Sequence, residues 1–444
     1  MPATTPQPAN TLDSYWLPFT ANRAFRARPR IVTGAEGLEY LTGDGRRVLD
    51  ATSGLYCVNA GHCRAPIAAA IREAAGRLDY APAFNFAHPQ VFELTSRLAL
   101  MAPGDLDHVF LATSGSEAVD SAMKIALAVH RARGEGSRTR FIGRERGYHG
   151  AGFGGMSVGG ITNNRKAFAG ALLPGTDHLG TTYNRDRQAF SVGEPEWGVE
   201  LADELQRILA LHDPSTIAGV VVEPVAGSTG CLPPPRGYLK RIREITAAAG
   251  VLLIFDEVIT AFGRMGHAFA AERWGVVPDI LAFAKGVTNG AVPLAGCIVR
   301  TGLHEAMMTG PEHVIELFHG YTYSGHPLGV AAALATLELY AAEDLFARAR
   351  RHEAEFAAAM MSLRQSPRVL DIRPIGLMCG IDIEPMPGLA GKRGLEITER
   401  AFFEHDLYVR VAGDTIVVAP PLIAGPDDFG RIRDKLAAVL RALS

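Results

Sequence analysis

The sequence predicts an α/β protein built on a mostly parallel sheet, followed by a smaller α+β unit. Three observations predict it. From about residue 107 to residue 300, short strands alternate with helical patterns: Val109-Phe-Leu111, Arg140-Phe-Ile142, Ile217 to Val222, Val251 to Phe255, Ile280 to Phe283 and Gly296 to Val299. These runs are apolar almost throughout and too short for helices, as expected of strands whose two faces are both covered. Beyond about residue 325 the order changes to two long Ala- and Leu-rich helices followed by strands and a last helix, which is α+β rather than alternating α/β.

Taken in order, Met1 to Asn10 has neither a basic nor an apolar segment and reads as a short disordered tail rather than a leader. From about 35 to 60 a small β-meander is expected, with Gly43-Asp-Gly45 turning between Leu38-Glu-Tyr-Leu41 and Arg47-Val-Leu-Asp50. Helical periodicity covers about 65 to 78, 89 to 101 and 117 to 133; the later helices are expected at about 327 to 341, 343 to 363 and 427 to 443, with strands near 368 to 384 and 407 to 419. A second, smaller α+β domain after about residue 325 fits this order. The junction of two such domains, beside the carboxyl ends of parallel strands, is a common place for a ligand cleft.

Composition narrows the function. A net charge of −3 with 20% charged residues carries no basic patch for nucleic acid, and no apolar run approaches the roughly 18 residues needed to span a bilayer. Cysteines 57, 63, 231, 297 and 379 are scattered, odd in number and form no CxxC pair, so neither a disulfide framework nor a zinc site is predicted and a reducing cytoplasm fits. Of the 44 basic residues only six are lysines, and one of them, Lys285, stands in the apolar run Ile280-Leu-Ala-Phe-Ala-Lys-Gly-Val. Guanidinium stays charged, whereas an ammonium in apolar surroundings can lose its proton and become a nucleophile. The plainer alternative is a strand-end lysine that snorkels to solvent.

Four further motifs carry chemistry, each with a structural alternative. Thr113-Ser-Gly-Ser-Glu117 joins a strand to a helix. Ser114 and Glu117 have capping-box spacing, and a glycine turn at a helix N-terminus aims N–H groups at a phosphate; a plain helix cap would look the same. No Gly-Lys-Ser/Thr follows, so it is not a Walker loop. Gly147-Tyr-His-Gly150 presents Tyr148 and His149 from a glycine-rich turn, suited to stacking on a planar heterocycle or to a core tyrosine. Asp256 and Glu257 end an otherwise apolar strand, where a carboxylate is costly unless a cation or hydrogen-bond donor meets it. A protonated pyridine nitrogen would serve; magnesium is the competing partner, weakened by the missing Walker loop. Glu223, before Pro224, is a second strand-end carboxylate.

The order phosphate turn, aromatic, strand-end Asp, buried Lys is what pyridoxal phosphate requires: a phosphate cup, a ring sandwich, an acid for the pyridine nitrogen and a Schiff-base lysine. From Trp16-Leu-Pro-Phe-Thr-Ala-Asn-Arg23 to the last helix the chain resembles the class III (ω-amino acid) aminotransferases. The most specific pieces are Phe255-Asp-Glu-Val-Ile-Thr-Ala-Phe-Gly-Arg264, Pro278-Asp-Ile280, Ala284-Lys-Gly-Val-Thr-Asn-Gly290 and His319-Gly-Tyr-Thr-Tyr-Ser-Gly-His-Pro327. It is most similar to those that use β-alanine or other ω-amino acids with pyruvate, for which Gly147-Tyr-His-Gly150, His319-Gly-Tyr-Thr-Tyr-Ser324 and Tyr408-Val-Arg410 are typical.

The resemblance implies the α/β fold of the type I pyridoxal-phosphate enzymes, with residues 1–64 and 326–444 as the two parts of a small α+β domain around a large domain of residues 65–325, and a ping-pong transfer from an amine donor to a keto-acid acceptor. It implies Lys285 as Schiff-base and proton-shuttling residue, Asp256 on the pyridine nitrogen, and Val258 and Tyr148 on the two ring faces. It also implies Gly115 and Ser116 on the phosphate, joined by Thr322 of a second subunit, with His149 and Glu223 beside the cofactor. Arg410 would hold the substrate carboxylate, and Tyr56, Phe84, Tyr148 and Tyr321 would shape the substrate pocket. A homodimer is then the smallest active unit, and a homotetramer is the other option.

Two departures bear on substrate. Ser228 stands where glutamate-using relatives carry a Glu that screens the carboxylate-binding Arg, which favours pyruvate over 2-oxoglutarate. Tyr56 stands where similar proteins often have Trp. The same cofactor frame also runs decarboxylation and aminomutase chemistry, 2-oxoglutarate- or taurine-using aminotransferases share it, and a non-catalytic homologue would keep the fold alone.

Overall fold

The computed structural model describes residues 12–443; the tail expected at residues 1–10 lies outside them. Its centre is a seven-stranded sheet whose order along the sheet is Leu106–Ala112, Ala295–Arg300, Ile280–Phe283, Leu252–Asp256, Ile217–Val222, Arg140–Arg144 and Thr176–Leu179. All neighbours pair in parallel except Ala295–Arg300, which runs antiparallel to both strands beside it. The expected mostly parallel sheet is therefore present, with one reversed strand that sequence periodicity does not disclose. The edge strand Thr176–Leu179 was also not foreseen, because Thr176-Asp-His-Leu179 carries too little apolar character to register as a strand.

The alternation of strand and helix covers both faces of this sheet, so Ile217–Val222, Leu252–Asp256 and Ile280–Phe283 are buried at every position. The helix Gly115–Ala132 buries Val119, Ala122, Ile125, Ala126 and Val129. It starts two residues before the expected Glu117, because Ser114 is the cap and Gly115 the first helical residue.

The chain ends build two further four-stranded sheets. Val32–Glu36, Glu39–Thr42 and Arg47–Asp50 form the expected meander, and Arg47–Asp50 also pairs in parallel with Leu407–Tyr408 from the far end of the chain. The second holds Val369–Ile375, Met378–Ile383, Thr415–Val418 and Arg410–Ala412, all antiparallel. The strand region expected at 407 to 419 is thus three short strands divided between two sheets. The helix Lys392–Glu404 precedes them and was not foreseen.

The carboxyl ends of the parallel strands meet along one edge. Ala112, Val222, Asp256 and Phe283 all finish there, and the reversed strand begins there at Ala295, opposite Ala112. Loops leaving this edge carry most of the sequence motifs. Among the described residues no helix is long and apolar enough to cross a membrane.

Candidate active site

A cavity of about 310 Å³ opens at that edge. Its walls bring together Gly115, Ser116, Tyr148, His149, Glu223, Asp256, Val258 and Lys285, from five separate loops and strand ends. Cys57, Thr113, Ser114, Thr288 and Val292 to Leu294 also line it.

The anion end is made by a helix start. Ser114 Oγ accepts from the Glu117 amide, and Glu117 in turn accepts from the Thr113 and Ser114 amides and the Thr113 hydroxyl. This capping box leaves the amides of Gly115 and Ser116 without a partner among the described residues, facing the cavity at the positive end of an 18-residue helix. Space there is tight. A Cβ on Gly115 would stand 2.9 Å from Val258 Cγ1, and one on Gly150 would stand 2.6 Å from Ser116 Cα. Gly150 also has φ 102°, which L side chains rarely adopt, and the following amide, Ala151, donates to Ser116 Oγ at 2.9 Å.

The acid end is held by hydrogen bonds. Asp256 is 5% exposed; its Oδ2 accepts from His149 Nδ1 at 2.9 Å and its Oδ1 from the Val258 amide at 3.1 Å. An ionised carboxylate is acceptor-only, so the proton lies on His149 Nδ1. His149 Nε2, buried, has no partner among the described residues. Glu223 accepts from the amides of Tyr148 and Gly227, both at 2.9 Å, and so fixes the turn that carries Tyr148. Burial pushes the Glu223 carboxyl above its ordinary pKa, with His149 opposing and Asp256 reinforcing the rise.

Lys285 lies between these ends. Its backbone has φ 50°, at the start of a short 3₁₀ turn following Ile280–Phe283. The turn is clamped from behind: Tyr340 Oη donates to the Gly286 carbonyl at 2.6 Å, and Asn289 joins the Ala60 amide and Gly61 carbonyl. Such a clamp is what a left-handed non-glycine residue needs to persist. Burial lowers the Lys285 pKa; Cys57, Asp256 and Glu223 oppose that effect and Arg410 adds to it. The amine is therefore easier to free of its proton than an exposed lysine.

The other expected site residues lie elsewhere. Tyr56 is 1% exposed and sits behind the cavity wall, its hydroxyl donating to the Gly227 carbonyl at 3.2 Å. The Arg410 guanidinium stands 5.8 Å from the centre of the Tyr56 ring, and Arg410 Nη2 donates to the Ser228 carbonyl at 3.2 Å. Phe84, Tyr321 and Thr322 are off the cavity. Phe84 is 57% exposed, Thr322 is exposed and accepts from Tyr80 Oη through its carbonyl, and the Tyr321 hydroxyl lies near Ser121 Oγ and the Glu117 carbonyl. Cys57 and Thr288 were missed by the sequence reading. Their signal was adjacency, Cys57 following Tyr56 and Thr288 lying within the Ala284 to Gly290 motif.

An anion cradle, a hydrogen-bonded carboxylate and an amine of lowered basicity around one cavity are what an enzyme carrying a phosphorylated pyridine aldehyde on lysine requires. Comparison with known proteins extends this. The family pattern described as aminotransferase class-III matches residues 20–440. An omega-aminotransferase of Caulobacter vibrioides is 54% identical over 97% of this chain and 98% of its own length. An omega-amino acid–pyruvate aminotransferase of Pseudomonas putida is 43% identical over 97% and 96% of the two chains. Among solved structures, an (S)-enantioselective omega-transaminase from Thermomicrobium roseum superposes with a TM-score of 0.90 at 32% identity, covering 97% of each chain. The chain belongs to the class III aminotransferases. It is an aminotransferase acting on an amine donor and a keto acid, and its cofactor is pyridoxal 5′-phosphate, which the Gly115–Ser116 cradle and the Asp256 carboxylate fit.

Proposed function

We propose that this enzyme moves the amino group of an ω-amino acid of the β-alanine kind, or of a primary amine, to pyruvate, leaving a semialdehyde or ketone and L-alanine. The observation that carries this is the convergence of Lys285, Asp256 and the Gly115–Ser116 amides on one cavity. Substrate class rests on the two similar proteins that act on ω-amino groups and on Ser228, where no carboxylate side chain stands beside Arg410. When bound, the cofactor supplies an electron sink that acidifies the substrate C–H bond next to nitrogen.

The residues divide the work. Lys285 Nζ, whose basicity burial lowers, takes the substrate proton and returns it. Asp256, oriented by His149, would hold the proton of the pyridine nitrogen, and Tyr148, whose turn Glu223 fixes, and Val258 would hold the ring between them. The Gly115 and Ser116 amides would hold the cofactor's phosphate. Arg410 binds the carboxylate of pyruvate or of an ω-amino acid and yields when the donor lacks one.

Phe84, Tyr321 and Thr322 are assigned to the active site of a second copy, so the working unit is a homodimer or a tetramer built from it. Tyr80, Phe84, Phe86, Phe92 and Phe318 are exposed, and an apolar hollow of about 340 Å³ lies among Phe84, Phe86, Phe92 and Phe110. Single chains rarely leave an apolar surface of this kind uncovered. Five free cysteines among the described residues accord with a cytoplasmic enzyme. The division into residues 1–64 and 326–444 around 65–325 is proposed on the same grounds, the outer segments sharing the Arg47–Asp50 and Leu407–Tyr408 pairing.

A panel of β-alanine, γ-aminobutyrate, taurine and arylalkylamines against pyruvate and 2-oxoglutarate tests this reading. Alanine formation from pyruvate with an ω-amine is expected; turnover confined to 2-oxoglutarate, or product without alanine, would overturn it. Lys285→Ala should abolish transfer and the visible absorbance of the bound cofactor.

A further inference from the structure

Tyr56 is buried, off the cavity and in a costly conformation. Its φ is 63°, in a stretch where Ser53 and Gly54 also have positive φ. A bulky non-glycine residue is held there only when its surroundings demand it, and such positions gather at functional sites. Two contacts account for it: the ring lies under the Arg410 guanidinium, 5.8 Å from centre to Cζ, and the hydroxyl donates to the Gly227 carbonyl.

The loop that receives the other side of Arg410 is fixed independently of Tyr56. The Gly227 amide is bound by Glu223 Oε2, Thr229 exchanges hydrogen bonds with Arg146, and the Gly230 and Cys231 carbonyls accept from Arg373. Arg373 is itself locked by Asp371 and Asp382. Ser228 is thereby presented as a rigid carbonyl acceptor for Arg410 Nη2. Arg410 Nε, buried, has no partner among the described residues, so the guanidinium keeps donor capacity to offer an incoming acceptor.

We infer that Tyr56 is a positioning residue for Arg410: its ring is the platform that holds the guanidinium ready for a substrate carboxylate, and so sets the preference for carboxylate-bearing over carboxylate-free substrates. The inference rests on the proposed role of Arg410. The hydroxyl is secondary, because three other contacts already hold the Gly227–Cys231 loop. The ring is the part that has no substitute.

The test compares Tyr56→Leu, Tyr56→Phe and Arg410→Ala. Three readouts are taken: KM and kcat for pyruvate, KM for butanal as an acceptor without a carboxylate, and the inhibition constant of propionate. A cation–ring contact of this kind is worth about three- to thirty-fold in binding. Tyr56→Leu should raise the pyruvate KM and the propionate constant by about that factor, with kcat and the butanal KM within about twofold. Tyr56→Phe should keep the wild-type preference. An unchanged pyruvate KM in Tyr56→Leu, an equal loss for butanal and pyruvate in that variant, or a Tyr56→Phe variant that loses the preference as fully as Arg410→Ala does, would overturn the inference; Tyr56→Met, which also removes the ring, gives the same readout if the Leu variant does not fold. An unchanged pyruvate KM in Arg410→Ala would instead refute the role of Arg410 itself.

Discussion

Gly150→Ala adds one methyl group where the structure leaves no room for it. The backbone there has φ 102°, and the new Cβ would stand 2.6 Å from both Ser116 Cα and Ser116 Oγ. The conformational cost is about 1–3 kcal/mol for a non-glycine residue, and forcing an atom into a filled space costs about 1–3 kcal/mol more. The second cost falls on a backbone atom at the start of the helix Gly115–Ala132, so relief requires moving the amides assigned to phosphate. If about 2 kcal/mol of the total reaches that cradle, cofactor affinity falls roughly thirtyfold. Titrating cofactor-free protein with pyridoxal phosphate, followed by visible absorbance, reads this directly. Gly134→Ala is the control, with φ 78° but nothing within 4 Å of the new atom, so it carries the conformational cost alone. A Gly150→Ala protein that binds cofactor as tightly as Gly134→Ala would refute the assignment of Gly115 and Ser116 to phosphate.

Other outcomes follow from the same geometry. Burial depresses the Lys285 pKa, so folding of the cofactor-free protein is opposed by discharging the amine. That penalty is absent above the unfolded-state pKa near 10.4, grows as pH falls from there, and is complete below the lower folded-state pKa; Lys285→Met should be the more stable protein in urea melts at pH 7.5, with its advantage shrinking towards pH 10.5. Arg373 is 2% exposed and paired with Asp371 and Asp382, so Arg373→Met should lower stability by about 3–5 kcal/mol in denaturant titrations by stranding two carboxylates. Mixed subunits test the second-copy assignment: Lys285→Ala and Thr322→Ala chains, each weak alone, should recover activity when re-associated, since one site of the mixed dimer then has both residues intact. No recovery in a verified mixed dimer would place Thr322 outside the site.

Sequence disclosed the sheet and the strand-end chemistry for one reason. Strands covered on both faces are apolar, so Asp256, Glu223 and Lys285 stand out as charged residues at their ends. The cap at Ser114 was legible from local spacing alone. What the sequence hid depends on contacts between distant segments. The Arg47–Asp50 and Leu407–Tyr408 strands pair across more than 350 positions, and that pairing brings Tyr56 to Arg410 and Cys57 to the cavity. The clamp behind Lys285 is equally non-local, joining Asn289 to Ala60 and Gly61, and Tyr340 to Gly286. Periodicity could not show either that Phe84, Tyr321 and Thr322 lie off the cavity of their own chain.

Borohydride reduction of the holoenzyme followed by peptide mapping tests the central assignment most directly, because it fixes the cofactor to the amine that carries it. The chain has six lysines, at positions 124, 166, 240, 285, 392 and 435. The phosphopyridoxyl mass is expected on Lys285 alone, at one per chain. The same label on any of the other five lysines, with Lys285 unmodified, would contradict the site described above.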